Sequence, residues 1–337
     1  MKEDKDIRIQ RYAAEIILTN LESLQKSVDG IVTHDDIEDI HDLRVATRRI
    51  RTALDIFGNY FPKKKVKSWQ GVVRTITRQF GESRDLDVQI DFLDQFLKTI
   101  EDRQNLAGIR RIRLRLIQKR NALENTIGKH TADILKDKAL NDLRTTMQKS
   151  IIEDEQGNYP PELFQLAFNT ILTSLDQFLF YEIFIHYPEK VHELHLMRIA
   201  AKKLRYTLEI FLPLYRGKMD ATLETMKYVQ QQLGEIRDCD VWITYIPVFL
   251  EKEKQRTIRY YGNTNAMRRL RPGIQFLQDN RHSERKAKYA QFIEQWQALR
   301  SQDTWLHLRD LIFQATLVGE YNNANPAPNS NQQDLKT

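Results

Sequence analysis

Two blocks of this 337-residue chain occur twice, in the same order and at nearly the same spacing. His41-Asp42-Leu43-Arg44-Val45-Ala46-Thr47-Arg48-Arg49-Ile50-Arg51 returns 154 residues later as His195-Leu196-Met197-Arg198-Ile199-Ala200-Ala201-Lys202-Lys203-Leu204-Arg205. Gly81-Glu82-Ser83-Arg84-Asp85-Leu86-Asp87-Val88 returns 153 residues later as Gly234-Glu235-Ile236-Arg237-Asp238-Cys239-Asp240-Val241. Two ordered blocks at one offset mark an internal duplication, so the chain must fold as two copies of one unit.

The period of the apolar residues says what the unit is. Gly is only 12 and Pro only 9, and few stretches alternate with period two. The pattern predicts helices over 6–28, 37–58, 64–80, 85–99, 103–136 and 138–150, then over 162–182, 190–211, 217–233, 239–258 and 284–315. Short connections make neighbouring helices antiparallel. The expected fold is all-α: two antiparallel four-helix bundles, 6–150 and 162–315, related by an internal pseudo-twofold axis. Asp154 to Pro161 reads as the linker between copies, and Asn263 to Gly273 as a loop without counterpart in the first copy. The Asn-, Pro- and Gln-rich tail, 319–337, has little to bury and is expected to be disordered.

On a helical wheel, His41, Arg44, Arg48 and Arg51 fall within an arc of about 80° and run about 15 Å along the axis. Leu43, Ala46, Ile50, Ala53, Leu54 and Phe57 take the opposite side. The second copy repeats this with His195, Arg198, Lys202 and Arg205 against Met197, Ala200, Leu204, Leu208 and Phe211. Arg49 and Lys203 flank the stripes. A solvated helix face is the ordinary explanation of a charged side. Such a face mixes acids with bases, because like charges one turn apart repel. Here no acid stands between Arg44 and Arg51 or between Arg198 and Arg205. Stacked cations destabilise a fold unless something neutralises them. The expected partner is therefore an extended, densely charged anion, gripped by arginine forks suited to phosphate oxygens.

Other cations join the candidate surface. Arg74 is matched by Lys227, and Arg78 by Gln231. From Arg103 to Arg120 there are seven basic residues and no acid, including Arg113 and Arg120. The looser second-copy analogue carries Arg285 and Lys288. The net charge of +6 suits an anionic partner without requiring one.

In the second block, Gly81 and Gly234 read as helix C-caps, with Asp85 and Asp238 capping the next helix. Arg84 and Arg237 either form structural ion pairs there or reach the ligand, while Asp87 and Asp240 hold basic side chains in place. His34-Asp35 and His41-Asp42 invite comparison with metal-dependent phosphohydrolases. Leu196 stands where Asp42 would repeat, however, so the duplicated motif is His-x-x-Arg. The pair His192-x-x-His195 is not duplicated either. No phosphate-cradling glycine loop, nucleophile elbow or Cys-His pair appears. The expectation is no metal site, no cofactor and no catalysis. Cys239, alone of its kind, replaces Leu86 and reads as a small apolar core position. No signal peptide and no apolar stretch of about 20 residues is evident, which predicts a soluble cytoplasmic protein with no membrane segment.

The paired His-x-x-Arg and Gly-Glu-x-Arg-Asp-x-Asp-Val blocks resemble the CHAD family (conserved histidine α-helical domain), over about residues 6 to 315. The resemblance implies two four-helix bundles with twofold pseudosymmetry and binding of inorganic polyphosphate in a basic central cavity or channel. It places His41, Arg44, Arg48, Arg49 and Arg51 at the ligand, faced by His195, Arg198, Lys202, Lys203 and Arg205. Arg74, Arg78, Arg84, Arg113, Arg120, Lys227, Arg237, Arg285 and Lys288 are the further candidates. Some relatives carry a triphosphatase domain with a Glu-x-Glu-x-Lys strand. No such motif occurs here, so the resemblance implies binding rather than hydrolysis, with association with polyphosphate granules in some members. Nucleic acid or another polyanion is the alternative ligand, and a metal-dependent phosphohydrolase the more distant one. Single-strand binders add stacking aromatics to basic grooves, and the stripe has only Tyr206 beside it.

Overall fold

A computed structural model describes residues 2–33, 37–151 and 159–324. Among the described residues there are twelve α-helices and no strand. They are α1 (Lys2–Thr33), α2 (Ile37–Phe57), α3 (Lys63–Gln79), α4 (Gly81–Lys98), α5 (Arg103–Asn121), α6 (Glu124–Leu135), α7 (Lys138–Ser150), α8 (Pro161–Leu179), α9 (Val191–Phe211), α10 (Asp220–Tyr261), α11 (Met267–Ser301) and α12 (Thr304–Ala324). Asp102 caps α5 by accepting from the Gln104 amide at 2.9 Å. Asp137 caps α7 through the Ala139 and Leu140 amides, at 2.8 and 3.0 Å. These side chains satisfy amides that the first helical turn leaves unpaired. α10 ends at Gly262, whose φ of 71° is open to glycine at little cost.

The second copy repeats the first with fewer breaks. α10 takes the place of α3 and α4, and α11 that of α5 and α6. The expected loop from Asn263 to Gly273 is a short turn, with helix from Met267 onward and Pro272 inside it. It corresponds to the α4–α5 connection. The helix expected over 284–315 is two helices, divided near Asp303 at a φ of 50°. α12 reaches Ala324, six residues into the expected tail, and 325–337 lie outside the described residues. So do 152–158, most of the expected linker, and His34 with Asp35.

The apolar faces read from periodicity are the buried ones. Leu43, Ala46, Ile50, Ala53, Leu54 and Phe57 of α2, and Met197, Ala200, Leu204, Leu208 and Phe211 of α9, all join the main core. The two helices pack on each other. Phe57 and Phe211, equivalent residues of the two copies, meet at 5.9 Å between ring centroids. The Tyr12 hydroxyl donates to the Ile210 carbonyl at 2.6 Å, tying α1 to α9.

The copies also share a bundle. α1, α2 and α3 pack with α6 and α7, while α8 and α9 pack with α12 and the first half of α10. α4 touches α2 and α3, and beyond them α4 and α5 pack against the far half of α10 and the near half of α11. A separate core forms there from Leu86, Leu93, Ile109, Ile112 and Leu116 of one copy and Trp242, Ile246, Phe249, Leu270 and Ile274 of the other. Helix length explains the departure from one closed bundle per copy: the 42 residues of α10 span about 63 Å, too long for one bundle. α5 and α11 cross there with their backbones in contact. A Cβ at Gly108 would overlap the Leu270 carbonyl, and one at Gly273 the Asn105 carbonyl. Buried Glu253 accepts from Arg111 at 2.9 Å and from Arg115 at 3.0 Å, linking α10 to α5.

Candidate anion-binding site

The stripe of each copy rests on the buried face just described, so the backbone of α2 and α9 fixes where its cations stand. Arg48 and Arg51 of α2 and His195, Arg198, Lys202 and Lys203 of α9 line one cavity of about 710 Å³. α8 supplies Asn169, Thr170 and Thr173 to the same wall. Among the described residues, no carboxylate lies within ion-pairing distance of Arg48, Arg51, Arg198 or Lys202. Asp55 is the one acid on the cavity wall, and it accepts a hydrogen bond from Gln70 at 2.8 Å.

Electrostatics shows how closely the copies approach. Burial, then Arg198, Arg48 and Arg205, push the Lys202 ammonium down to about 7. Burial also lowers the pKa of Arg198, opposed by Asp238 and reinforced by Arg48 and Arg237. Arg48 belongs to the first copy and the side chains it perturbs to the second. His195 is lowered by burial and then by Arg237 and Arg198. His41 is lowered by burial and then by Arg84. Removing charge from water disfavours the charged form, and neighbouring cations add to that. His195 Nδ1 and Arg198 Nε are buried and make no hydrogen bond within the protein.

Arg44 faces a neighbouring cavity of about 510 Å³ with Arg78, Glu82, Asp85 and Lys119. Its Nη1 donates to the Thr77 carbonyl at 2.6 Å. The second block explains this placement. A Cβ at Gly81 would come within 3.1 Å of Arg44 Nη1, and one at Gly234 within 3.6 Å of Arg198 Nε. Neither glycine is a left-handed cap: Gly81 opens α4 and Gly234 lies inside α10, both without positive φ. Asp85 and Asp238 likewise lie within helices rather than at their starts. Both glycines instead leave room for the arginine of the first block, so the two blocks act as one unit.

Several predicted cations are held by carboxylates. Arg120 pairs with Asp87 at 2.8 Å, and its counterpart Arg285 pairs with Asp240. Lys288 reaches Glu235 at 3.0 Å, and Lys119 reaches Glu82 at 2.6 Å. The acids of the second block thus anchor α5 and α11. Arg113 pairs with Asp94, and Lys227 with Glu224. Arg84 lies 3.6 Å from Glu38. Arg49 and Arg205 share Glu209, at 2.9 and 3.6 Å, which joins α2 to α9. Arg74 is exposed on α3 and lines neither cavity. Cys239 is buried, as expected of a core position. Sequence reasoning missed the hydroxyls of α8, which carry no charge pattern to flag them. Among the described residues, no group of three or more His, Cys, Asp or Glu is placed to hold a metal ion.

Fold and site together define a duplicated all-α protein in which two cationic helices, one from each copy, border a common cavity. The CHAD domain family model matches residues 15–246, and the chain belongs to that family. Two solved structures share its fold. The crystal structure of the CHAD domain from the plant Ricinus communis is 21% identical, covers 91% of each chain and gives a TM-score of 0.51. PptA from Streptomyces chartreusis is 12% identical, covers 86% of this chain and 99% of its own, and gives a TM-score of 0.57. No curated protein sequence matches the chain. No helix among the described residues is long and apolar enough to cross a membrane.

Proposed function

We propose that this protein binds inorganic polyphosphate without turning it over, in the cavity between α2 and α9. One observation carries the reading: cations from both copies crowd that cavity unpaired, closely enough to bring Lys202 to about 7. Folding has concentrated positive charge in a partly buried place, and a chain of phosphoryl groups is the complement that offsets it. Arg48, Arg51, Arg198, Lys202 and Lys203 are the contacts, with His195 and the α8 hydroxyls beside them and Arg44 and Arg78 extending the track. Arg120, Arg285 and Lys288 serve the scaffold, while Arg113 and Lys227 stand in partly exposed ion pairs outside the cavity. Tyr206 is 5% exposed at the cavity wall and already carries the Arg205 guanidinium 4.8 Å from its ring centre, which favours a base-free ligand over nucleic acid. We extend the proposal to a cytoplasmic setting in contact with polyphosphate granules.

The test is a binding titration against polyphosphates of defined length, with DNA and RNA as controls. Counterion release makes affinity fall steeply with salt. Arg48→Ala with Lys202→Ala should weaken binding and reduce the salt slope by about one to two. Unchanged binding by that variant would remove the cavity from the mechanism.

A further inference from the structure

A second cationic surface lies at the opposite end of α10, at the tip of the shared bundle. Tyr261 is 23 residues beyond Asp238 on that helix, or about 35 Å. From Gln255 to Gln278 the chain holds Arg256, Arg259, Arg268, Arg269 and Arg271 and no acid. α5 brings Arg110 and Arg111 to the same tip, where with Tyr261 and Arg269 they line a cavity of about 390 Å³. Glu253 holds Arg111 and Arg256. Among the described residues, Arg110, Arg259, Arg268, Arg269 and Arg271 have no carboxylate partner, and all five are exposed.

This surface differs from the α2–α9 cavity in one respect. Tyr260 is 81% and Tyr261 61% exposed. Their rings meet edge to face at 4.7 Å. Exposed adjacent aromatic rings gain nothing from water, and they fill no core here. A base-free polyanion would use the arginines and leave the rings idle. A single-stranded nucleic acid would use both, its phosphates on the arginines and its bases on the rings. A duplex keeps its bases stacked inside and offers the rings nothing.

We infer that the tip formed by α5, the end of α10 and the start of α11 binds single-stranded nucleic acid. The site is separate from the proposed polyphosphate cavity and does not depend on it. Arg259, Arg268 and Arg269 hold the backbone, and Tyr260 and Tyr261 stack the bases.

The test is fluorescence anisotropy with a fluorescein-labelled single-stranded uridine 12-mer, on the full chain. Tyr260→Ala with Tyr261→Ala should weaken binding at least about tenfold, with an unchanged circular dichroism melt because both rings are exposed. Arg48→Ala with Lys202→Ala should leave oligonucleotide affinity within about twofold. A duplex of equal length should bind more weakly than the single strand. The inference is overturned if the oligonucleotide does not bind, if the double tyrosine variant binds as the wild type does, or if only the Arg48/Lys202 variant loses it. It is also overturned if the tyrosine variant loses polyphosphate as much as oligonucleotide. Failure of the α2–α9 cavity to bind polyphosphate would leave these outcomes intact.

Discussion

Binding of a polyanion to the α2–α9 cavity should draw a proton from solution. Lys202 sits at about 7 in the free protein, against an ordinary value of 10.5. At pH 8.5 such a group is about 3% protonated. A phosphate chain beside it replaces cation repulsion with attraction and returns it toward the ordinary value, where it is about 99% protonated at the same pH. The expected uptake is close to one proton per cavity filled. His195, held below its usual range, adds little this far above it, and His41 does not line the cavity. Near pH 6 Lys202 is already charged, and uptake should fall to what His195 supplies. Isothermal titration of a long-chain polyphosphate in two buffers of contrasting ionisation enthalpy, at pH 8.5 and pH 6, reads the proton count directly. Lys202→Gln should abolish the uptake at pH 8.5. An uptake below about 0.2 proton there, or one that survives in Lys202→Gln, would refute the claim that Arg48, Arg198 and Arg205 crowd a lysine that the ligand relieves.

The same lysine has a signature without ligand. Unfolded, it keeps its proton to about 10.5, and folded it releases it near 7, so the unfolded state binds more protons between these values and stability should rise with pH across that window. Lys202→Met should flatten that rise and raise the melting temperature more at pH 6 than at pH 10. At the helix crossing, Gly273→Ala should lower stability by about 3 kcal/mol in denaturant titrations, because the new methyl overlaps the Asn105 carbonyl. A loss below about 0.5 kcal/mol would show that α5 and α11 do not touch.

Local periodicity made the helices and their buried faces legible, down to Phe57 and Phe211. The stripe was legible too, because like charges one turn apart need no tertiary knowledge to stand out. What local pattern could not carry was anything between helices. Gly81 and Gly234 look like caps along the chain, and only the approach of Arg44 and Arg198 shows what their missing side chains allow. Arg120 and Arg285 look as free as Arg48 until Asp87 and Asp240 arrive from another helix. Glu209, which binds Arg49 from 160 residues away, gave no signal. The break between α11 and α12 was missed because apolar spacing continues across Asp303. The packing of α4 and α5 against the second copy was invisible for a related reason: their apolar faces demand a partner but do not say which copy supplies it.

That shared core makes the two halves depend on each other to fold. Leu93, Ile109 and Ile112 of the first half are covered by Trp242, Ile246 and Ile274 of the second, and Gly108 meets Gly273 at the crossing. Either half alone would leave its apolar arm uncovered, so the two halves stabilise each other through this core. The two halves are nonetheless unequal in charge, with Gln231 standing opposite Arg78.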